Sequence, residues 1–290
     1  MTTADLSVTT TRAKRPLPEL LAQADLGKHA FLLIAVLLTY APFWIMFTVS
    51  FKDQAQFYHS VWELDFPMHF ENYESASAVV GRYIANSVFV TVATIIGTIV
   101  FSSLAAFAFA RYRFPAKGLL FWMIISLLMV PSILTMVPAF VLVRQMGLMN
   151  SHWGLILPGI AGHQVFAIFL LRGYMASLPE ELFEAARIDG ASIFHCYFHI
   201  ALPLSRPILS VVVITTLLGS WNDFVWPLLI INSDSLRTVP IGLAFFQTQF
   251  STNHGPLMAG YVLSSLPLLL VFVLTSREFI RGLTAGAVKF

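Results

Sequence analysis

Asn86-Ser-Val-Phe-Val-Thr-Val-Ala-Thr-Ile-Ile-Gly-Thr-Ile-Val-Phe-Ser-Ser-Leu-Ala-Ala-Phe-Ala-Phe-Ala110 runs without a charged residue and is closed by Arg111 and Arg113. As a helix rising about 1.5 Å per residue, it is long enough to cross a hydrocarbon core of about 30 Å. Five further apolar runs have similar length, over residues 29–51, 118–142, 154–176, 207–231 and 257–280. A β-barrel would show alternating segments of about ten residues, whereas these runs are apolar on both faces. The whole chain agrees: 57% of its residues are hydrophobic and 11% charged, against about half and a quarter in soluble domains. A water-soluble globule is excluded, and the expected fold is an all-α integral membrane protein with six transmembrane helices.

The few charges orient it. Arg12, Lys14, Arg15, Lys28, Arg111, Arg113, Lys117, Arg172, Arg187, Arg206, Arg277, Arg281 and Lys289 fall on one side, leaving Lys52, Arg82, Arg144 and Arg237 on the other. By the positive-inside rule, both termini are expected in the cytoplasm. The first apolar run is too long for a signal-peptide core and lacks a small-residue cleavage pattern, so it reads as a retained span. Residues 1–28 form a Thr-, Ala- and Pro-rich tail with no apolar periodicity, expected to be poorly ordered. The external loop 52–85 mixes Asp53, Glu63, Asp65, Glu71 and Glu74 with Phe57, Tyr58, Trp62, Phe66 and Phe70, a composition suited either to docking an external partner or to capping the bundle. The loop 232–256 carries Gly, Pro and Asn punctuation that lets it fold back over a pore mouth.

Several chemistries lack their residues. No G-x-x-x-x-G-K-[ST] phosphate loop is present, and Gly27-Lys28-His29 lacks both the preceding glycine and the hydroxyl residue. No G-x-S-x-G or H-E-x-x-H string occurs. A net charge of +2 argues against nucleic-acid binding, and the single Cys196 precludes an intrachain disulfide. His195, Cys196 and His199 come close in sequence, but without a nearby carboxylate or second cysteine they read as packing or interface residues in preference to metal ligands. No catalytic residue is assigned. His163 and Gln164 in the fourth run, and Trp221, Asn222 and Asp223 in the fifth, are the candidates for lining a path. Glycines and Pro158 interrupt the same segments, and broken backbone at membrane depth is tolerated where protein or a cavity covers it. Helix packing through small residues is the alternative. Asp223 falls about 24 Å along its helix, near the outer boundary, which suits neither a midplane ion site nor an ion-coupled carrier.

Between the fourth and fifth spans, residues 177–207 read Ser-Leu-Pro-Glu-Glu-Leu-Phe-Glu-Ala-Ala-Arg-Ile-Asp-Gly-Ala-Ser-Ile-Phe-His-Cys-Tyr-Phe-His-Ile-Ala-Leu-Pro-Leu-Ser-Arg-Pro. Ser177 with Glu180 forms an expected capping box, and the glutamates of the first turn favour the positive end of a helix. Gly190 can stop that helix in the left-handed conformation, while Pro203 and Pro207 prevent the next from running on unbroken. Leu182, Phe183, Ala186 and Ile188 give the short helix an apolar side that needs cover, either from its own bundle or from a partner's groove.

The pattern Glu184-Ala185-Ala186, Gly190 and Ile200-x-Leu202-Pro203 resembles the EAA signature of permease subunits of binding-protein-dependent ABC importers. Trp221-Asn222-Asp223 and the terminal Gly282-Leu-Thr-Ala-Gly-Ala-Val-Lys289 are similar to the carbohydrate-uptake branch, specifically the maltose-permease G-type subunit, with Phe290 as a departure. The chain is also similar overall to the second permease subunit of an alginate-type importer. The resemblance covers nearly the whole chain and implies a six-span permease domain over 29–282, in the bacterial cytoplasmic (inner) membrane. It implies a heterodimer with a second permease, two ATPase subunits beneath, an extracytoplasmic solute-binding protein above, and a carbohydrate as the solute. ATP and Mg2+ would belong to the ATPase partners, with no cofactor on this chain. Leu182, Phe183, Glu184, Ala185, Ala186, Asp189 and Gly190 would couple to an ATPase cleft. The tail 283–290, with Gly282, Leu283, Thr284, Gly286 and Lys289, would insert between the ATPases as an extended segment. The competing reading is an ion-coupled secondary transporter or a channel, weakened by the scarcity of charge within the spans.

Overall fold

The computed structural model describes residues 26–250 and 253–287, with Leu26 and residues 274–287 described as backbone alone. The described residues contain helices and no strand: α1 Leu26–Val49, α2 Gln54–His59, α3 Glu71–Arg111, α4 Lys117–Ser126, α5 Ser132–Gln145, α6 Trp153–Ala176, α7 Glu180–Ile188, α8 Ile193–Leu204, α9 Arg206–Trp221, α10 Val225–Ile230, α11 Val239–Gln249 and α12 His254–Ala287.

At the centre stands α3, a helix of 41 residues, about 62 Å long and roughly twice the hydrocarbon thickness. It packs most extensively on α6, and also on α9, α11 and α12. One helical stripe explains this: Ala76, Val80, Tyr83, Ser87, Thr91, Thr94, Thr98, Ser102 and Ala106 recur every three or four residues and are all buried. Lipid tails are as apolar as leucine, so membrane helices associate by close packing of small residues, and this stripe supplies it. At the α3–α6 crossing a Cβ on Gly159 would lie 3.2 Å from the Thr94 methyl, and one on Gly97 would collide with Ile160. The outer surfaces of α1 and α4–α5 leave Phe31, Leu38, Trp122, Met129 and Val137 exposed, as lipid-facing or subunit-facing helices require.

Among the described residues four helices are long and apolar enough to cross a membrane alone, and the number is six when each of two bent pairs counts as one span. The expected straight third span is instead α4 and α5, bent by 103° where Pro131 interrupts the ladder. The fifth span starts after a 75° bend at Ser205, flanked by Pro203 and Pro207, as the proline spacing anticipates. It stops at Trp221, ten residues short of the expected limit, because Asn222 and Asp223 break it before α10 begins.

Both expected outer loops are largely structured. Within 52–85 the central helix α3 already starts at Glu71, leaving residues 52–70, with the short helix α2, as a cap tied around Lys52, a side chain only 1% exposed. Its ammonium donates to the Ser60 carbonyl at 2.6 Å and to Asp65 at 3.2 Å. Asn72 Nδ2 donates to the Ser50 and Lys52 carbonyls, and Trp44 donates to Trp62 O at 2.9 Å. Thus the cap secures the end of α1 to the start of α3. Within 232–256, α11 folds back into the bundle, with Gly242 against the Tyr83 ring and Phe246 buried. The preceding turn is held by Tyr83 donating to Asp234 at 2.9 Å and Asn86 donating to the Ser235 and Arg237 carbonyls. Residues 251–252 lie outside the described residues.

Replacing Lys52 with alanine removes two hydrogen bonds made by a charged donor. It is expected to destabilise the cap by about 2 kcal/mol, read as a lower midpoint of detergent-solubilised thermal unfolding followed through Trp44 and Trp62 fluorescence, with faster proteolytic nicking within residues 52–70.

Candidate functional site

Two regions bring candidate residues together. The first is α7 with its surroundings. The capping box expected of Ser177 and Glu180 does not form. Ser177 ends α6, its hydroxyl donating to the Tyr174 carbonyl at 2.8 Å, and Pro179 occupies the cap position of α7. Glu180 turns instead to the end of α3, where its carboxylate accepts from Arg111 at 2.6 Å. Arg111 also donates to the Leu178 carbonyl at 2.6 Å and lies 4.1 Å over the Phe183 ring, with its own side chain 6% exposed. One buried guanidinium therefore joins the central helix to the connection, cap and first turn of α7. Read in sequence as one more positive charge flanking a span, Arg111 shows its second role only when residues 67 and 69 positions away fold beside it.

The apolar side of α7 is divided. Phe183 is buried in the chain's own core with Phe107, Leu171, Met175, Cys196 and Tyr197, and Ala186 packs against that cluster. For these two the bundle supplies the cover. On the other side Glu181, Glu184, Ala185 and Ile188 recur at three- and four-residue spacing and are exposed, Ile188 at 86%, with Leu182 flanking them. Asp189 ends the helix, and Gly190 takes φ +80°, the left-handed backbone anticipated for it. A groove of about 500 Å³ beside this end is lined by Ala186, Asp189, Gly190, Ser192, His195 and Ile200. Beyond it α8 starts on a Ser192 cap and contains a π turn at Tyr197–Ala201. That turn points Tyr197 at Ser103 of α3, hydroxyl to hydroxyl at 2.7 Å. His195 and His199 stack exposed with ring centroids 4.1 Å apart, and among the described residues no group of three His, Cys, Asp or Glu side chains could hold a metal ion.

The second region is a cavity of about 590 Å³ between α5, α6 and the α9–α10 break. Of the five sequence candidates for a path, His163 and Asp223 line it. Pro158, Gly159, Gly162, Gly219 and Ser220 join them, so the interruptions in the fourth and fifth runs do converge on one space. The other three candidates have other partners. Trp221 is buried with Tyr83 and Val239, Gln164 donates to Thr98 O at 3.4 Å, and Asn222 donates to Leu218 O at 2.9 Å. His163 is held by its Nδ1, 2.7 Å from the Gly159 carbonyl, and its Nε2 lies where a Gly219 side chain would begin. Asp223 accepts from the Trp226 amide at 3.2 Å, which starts α10 after the break. Trp226 in turn donates its indole N–H to Gly154 O at 3.0 Å and lines the cavity. Ser132, Thr135 and Thr238 complete the polar lining; no sequence signal marks them, because they face the cavity only through the α4–α5 bend and the α11 turn.

At the C-terminus the backbone of α12 remains helical through Ala287. Gly282, Leu283, Thr284 and Gly286 are thus in a helix and not in the extended segment expected, since nothing in 257–287 breaks the ladder after Pro267. Lys289 and Phe290, like the tail before residue 26, lie outside the described residues.

Comparison with known proteins places this geometry. Residues 98–283 match the family described as binding-protein-dependent transport system inner membrane component. The probable ABC transporter permease protein YurM of Bacillus subtilis is 35% identical over 258 residues, 89% of this chain and 86% of that protein. The arabinooligosaccharides transport system permease protein AraQ of Halalkalibacterium halodurans is 38% identical over 207 residues, 71% and 74% of the two chains. Among solved structures, a chain of a bacterial ABC transporter involved in the import of the acidic polysaccharide alginate superposes with a TM-score of 0.78, covering 92% of this chain and 99% of that one. At 20% identity that likeness is one of fold.

Replacing Arg111 with alanine is expected to loosen α7 from α3 without unfolding the bundle. A spin label at position 188 should gain mobility in the R111A protein, whereas Arg111→Lys, which keeps one charge but not the forked geometry, should restore only part of the wild-type spectrum.

Proposed function

The chain belongs to the family of binding-protein-dependent transport system inner membrane components, and from that premise we propose that it is one of two permeases enclosing the path of an ATP-driven carbohydrate importer. The observation that carries the coupling role is the two-sidedness of α7. One side is held by Phe183 and Arg111, while the other offers Glu181, Leu182, Glu184, Ala185 and Ile188 to a partner. A short helix held on one face and free on the other suits a groove that takes anchors three to four residues apart. The partner is an ATPase subunit, one under each permease, and it supplies the ATP and Mg2+ site. The basic side of the chain then faces the cytoplasm, and the Lys52 cap and the Asp234 turn face a solute-binding protein outside.

Closure of the ATPases would push α7, and the Arg111 contact passes that displacement to α3, the helix on which α6, α9, α11 and α12 rest. Rocking of packed helices around a fixed cavity is an established way to alternate access. Arabinooligosaccharides, carried by the system of the similar AraQ protein, support a carbohydrate as the solute. Hydroxyls and the indole of Trp226 in the cavity fit a polyhydroxylated molecule with apolar ring faces. The ion-coupled alternative has little to work with, since Asp223 is the one acidic side chain lining the cavity. The backbone of α12 runs on through Ala287, and the segment 284–290 is assigned as a second contact with the same ATPase pair.

The purified chain is expected to hydrolyse no ATP, with hydrolysis appearing on assembly with the ATPases and rising with the loaded binding protein. Ile188→Glu should leave membrane insertion intact and lower oligosaccharide uptake at least tenfold. Gly190→Ala, which forces a side chain into the left-handed region, should uncouple hydrolysis from uptake while the complex still assembles. Turnover by the chain alone, or wild-type uptake by an assembled I188E complex, would overturn the reading.

A truncation lacking residues 284–290 is expected to insert normally and to show reduced uptake per ATP hydrolysed, measured in the same reconstituted system.

A further inference from the structure

The similar proteins leave the charge of the solute open, since arabinooligosaccharides are neutral and alginate is acidic. The cavity carries information on this point. Its lining contains no lysine and no arginine, and Asp223 is its one carboxylate. Asp223 is the only acidic or basic residue between Arg206 and Asp234, and Arg237, next to the lining residue Thr238, is held by Asp234 at 2.6 Å and lies 3.6 Å over the Phe245 ring. On α5 and α6, Arg144 and Arg172 do not line the cavity, and Arg172 lies 3.9 Å over the Phe121 ring.

His163 is the one lining group able to become a cation. A single imidazole beside a carboxylate gives the lining no fixed positive charge. An excess of positive charge, which an anionic solute requires in a poorly solvated space, is not available from this half of the path. By contrast, hydroxyl groups of an uncharged sugar can donate to the carboxylate in charge-assisted hydrogen bonds. Asp223 uses one oxygen to accept from the Trp226 amide, which leaves the other for the solute. Ser132, Thr135, Ser220 and Thr238 add neutral donors and acceptors around it.

We propose that this subunit selects uncharged oligosaccharides and rejects uronates and phosphate esters, with the Asp223 carboxylate, set in the α9–α10 break opposite His163, as the determinant. The inference rests on the carbohydrate reading and sharpens it. Asp223→Asn isolates the charge, because the amide oxygen can still accept from Trp226 and keep the start of α10.

The test uses the full complex in proteoliposomes with its binding protein. A neutral oligosaccharide, its end-oxidised uronate and sn-glycerol 3-phosphate are compared at concentrations that saturate the binding protein. The wild-type complex is expected to import the neutral probe at least tenfold faster than either anion. In the D223N complex neutral import should fall severalfold and the gap to the uronate should narrow to within threefold, a change in ratio that a purely structural role would not produce. Wild-type import of an anionic probe within threefold of the neutral one would overturn the inference and leave the importer reading standing, as would an unchanged ratio in an assembled D223N complex. Failure of every saccharide, neutral or acidic, to be imported or to stimulate ATP hydrolysis would instead overturn the carbohydrate reading and this inference with it.

Discussion

Close backbone approach along α3 is the constraint on which the rest of the molecule depends. In lipid no hydrophobic force draws helices together, so the bundle is assembled by contact at short range. The buried Ala, Ser and Thr stripe of α3 allows α6, α9, α11 and α12 to approach, and Gly97 on α3 with Gly159, Gly242 and Gly260 on the facing helices completes the fit. Bulkier residues there would hold the helices apart and open the seam. The same helix is long enough to leave the hydrocarbon at both ends, which lets it carry the Asn72 and Tyr83 anchorages at one end and Arg111 at the other.

From that arrangement follows the mechanical relation between α7 and the cavity. Arg111 binds Glu180 and Leu178 and covers Phe183, so α7 is joined to the end of the helix against which the cavity walls pack. A second join, Ser103 to Tyr197, holds α8 to α3 about two turns further in. Desolvated charge is costly unless it is well paired, and Arg111 is paired with a carboxylate, a carbonyl and an aromatic face together. Such an anchor ties α7 to the end of α3.

The cavity owes its existence to two failures of helical continuity. Pro131 bends α4 away from α5, and Asn222–Asp223 separate α9 from α10. Each break frees backbone groups that hydrocarbon could not satisfy, and at the α4–α5 break Met129, Val130 and Pro131 remain on the surface of this chain. Asp223 accepts the Trp226 amide at one break, and the space between the two breaks is where Ser132, Thr135, His163 and Ser220 meet.

Periodicity and composition alone determined the helical class, the number of crossings and the left-handed stop at Gly190, because those properties depend on length, local sterics and the polarity of about twenty consecutive residues. They also identified Phe183 and Ile188 as apolar positions on one short helix, but not that one would face inward and the other outward. That division needs Phe107, Leu171 and Tyr197, which lie far away in the chain and come together only in the bundle. The burial of Lys52, the second role of Arg111 and the separation of Asp223 from Trp221 were likewise decided by tertiary contact. In each case a side chain of ordinary local character found its partner across a chain distance that no local pattern records. That the segment folding back is a helix, α11, was settled the same way, by burial of Val239, Ile241 and Phe246, while unbroken ladder continuity keeps the backbone helical through Ala287.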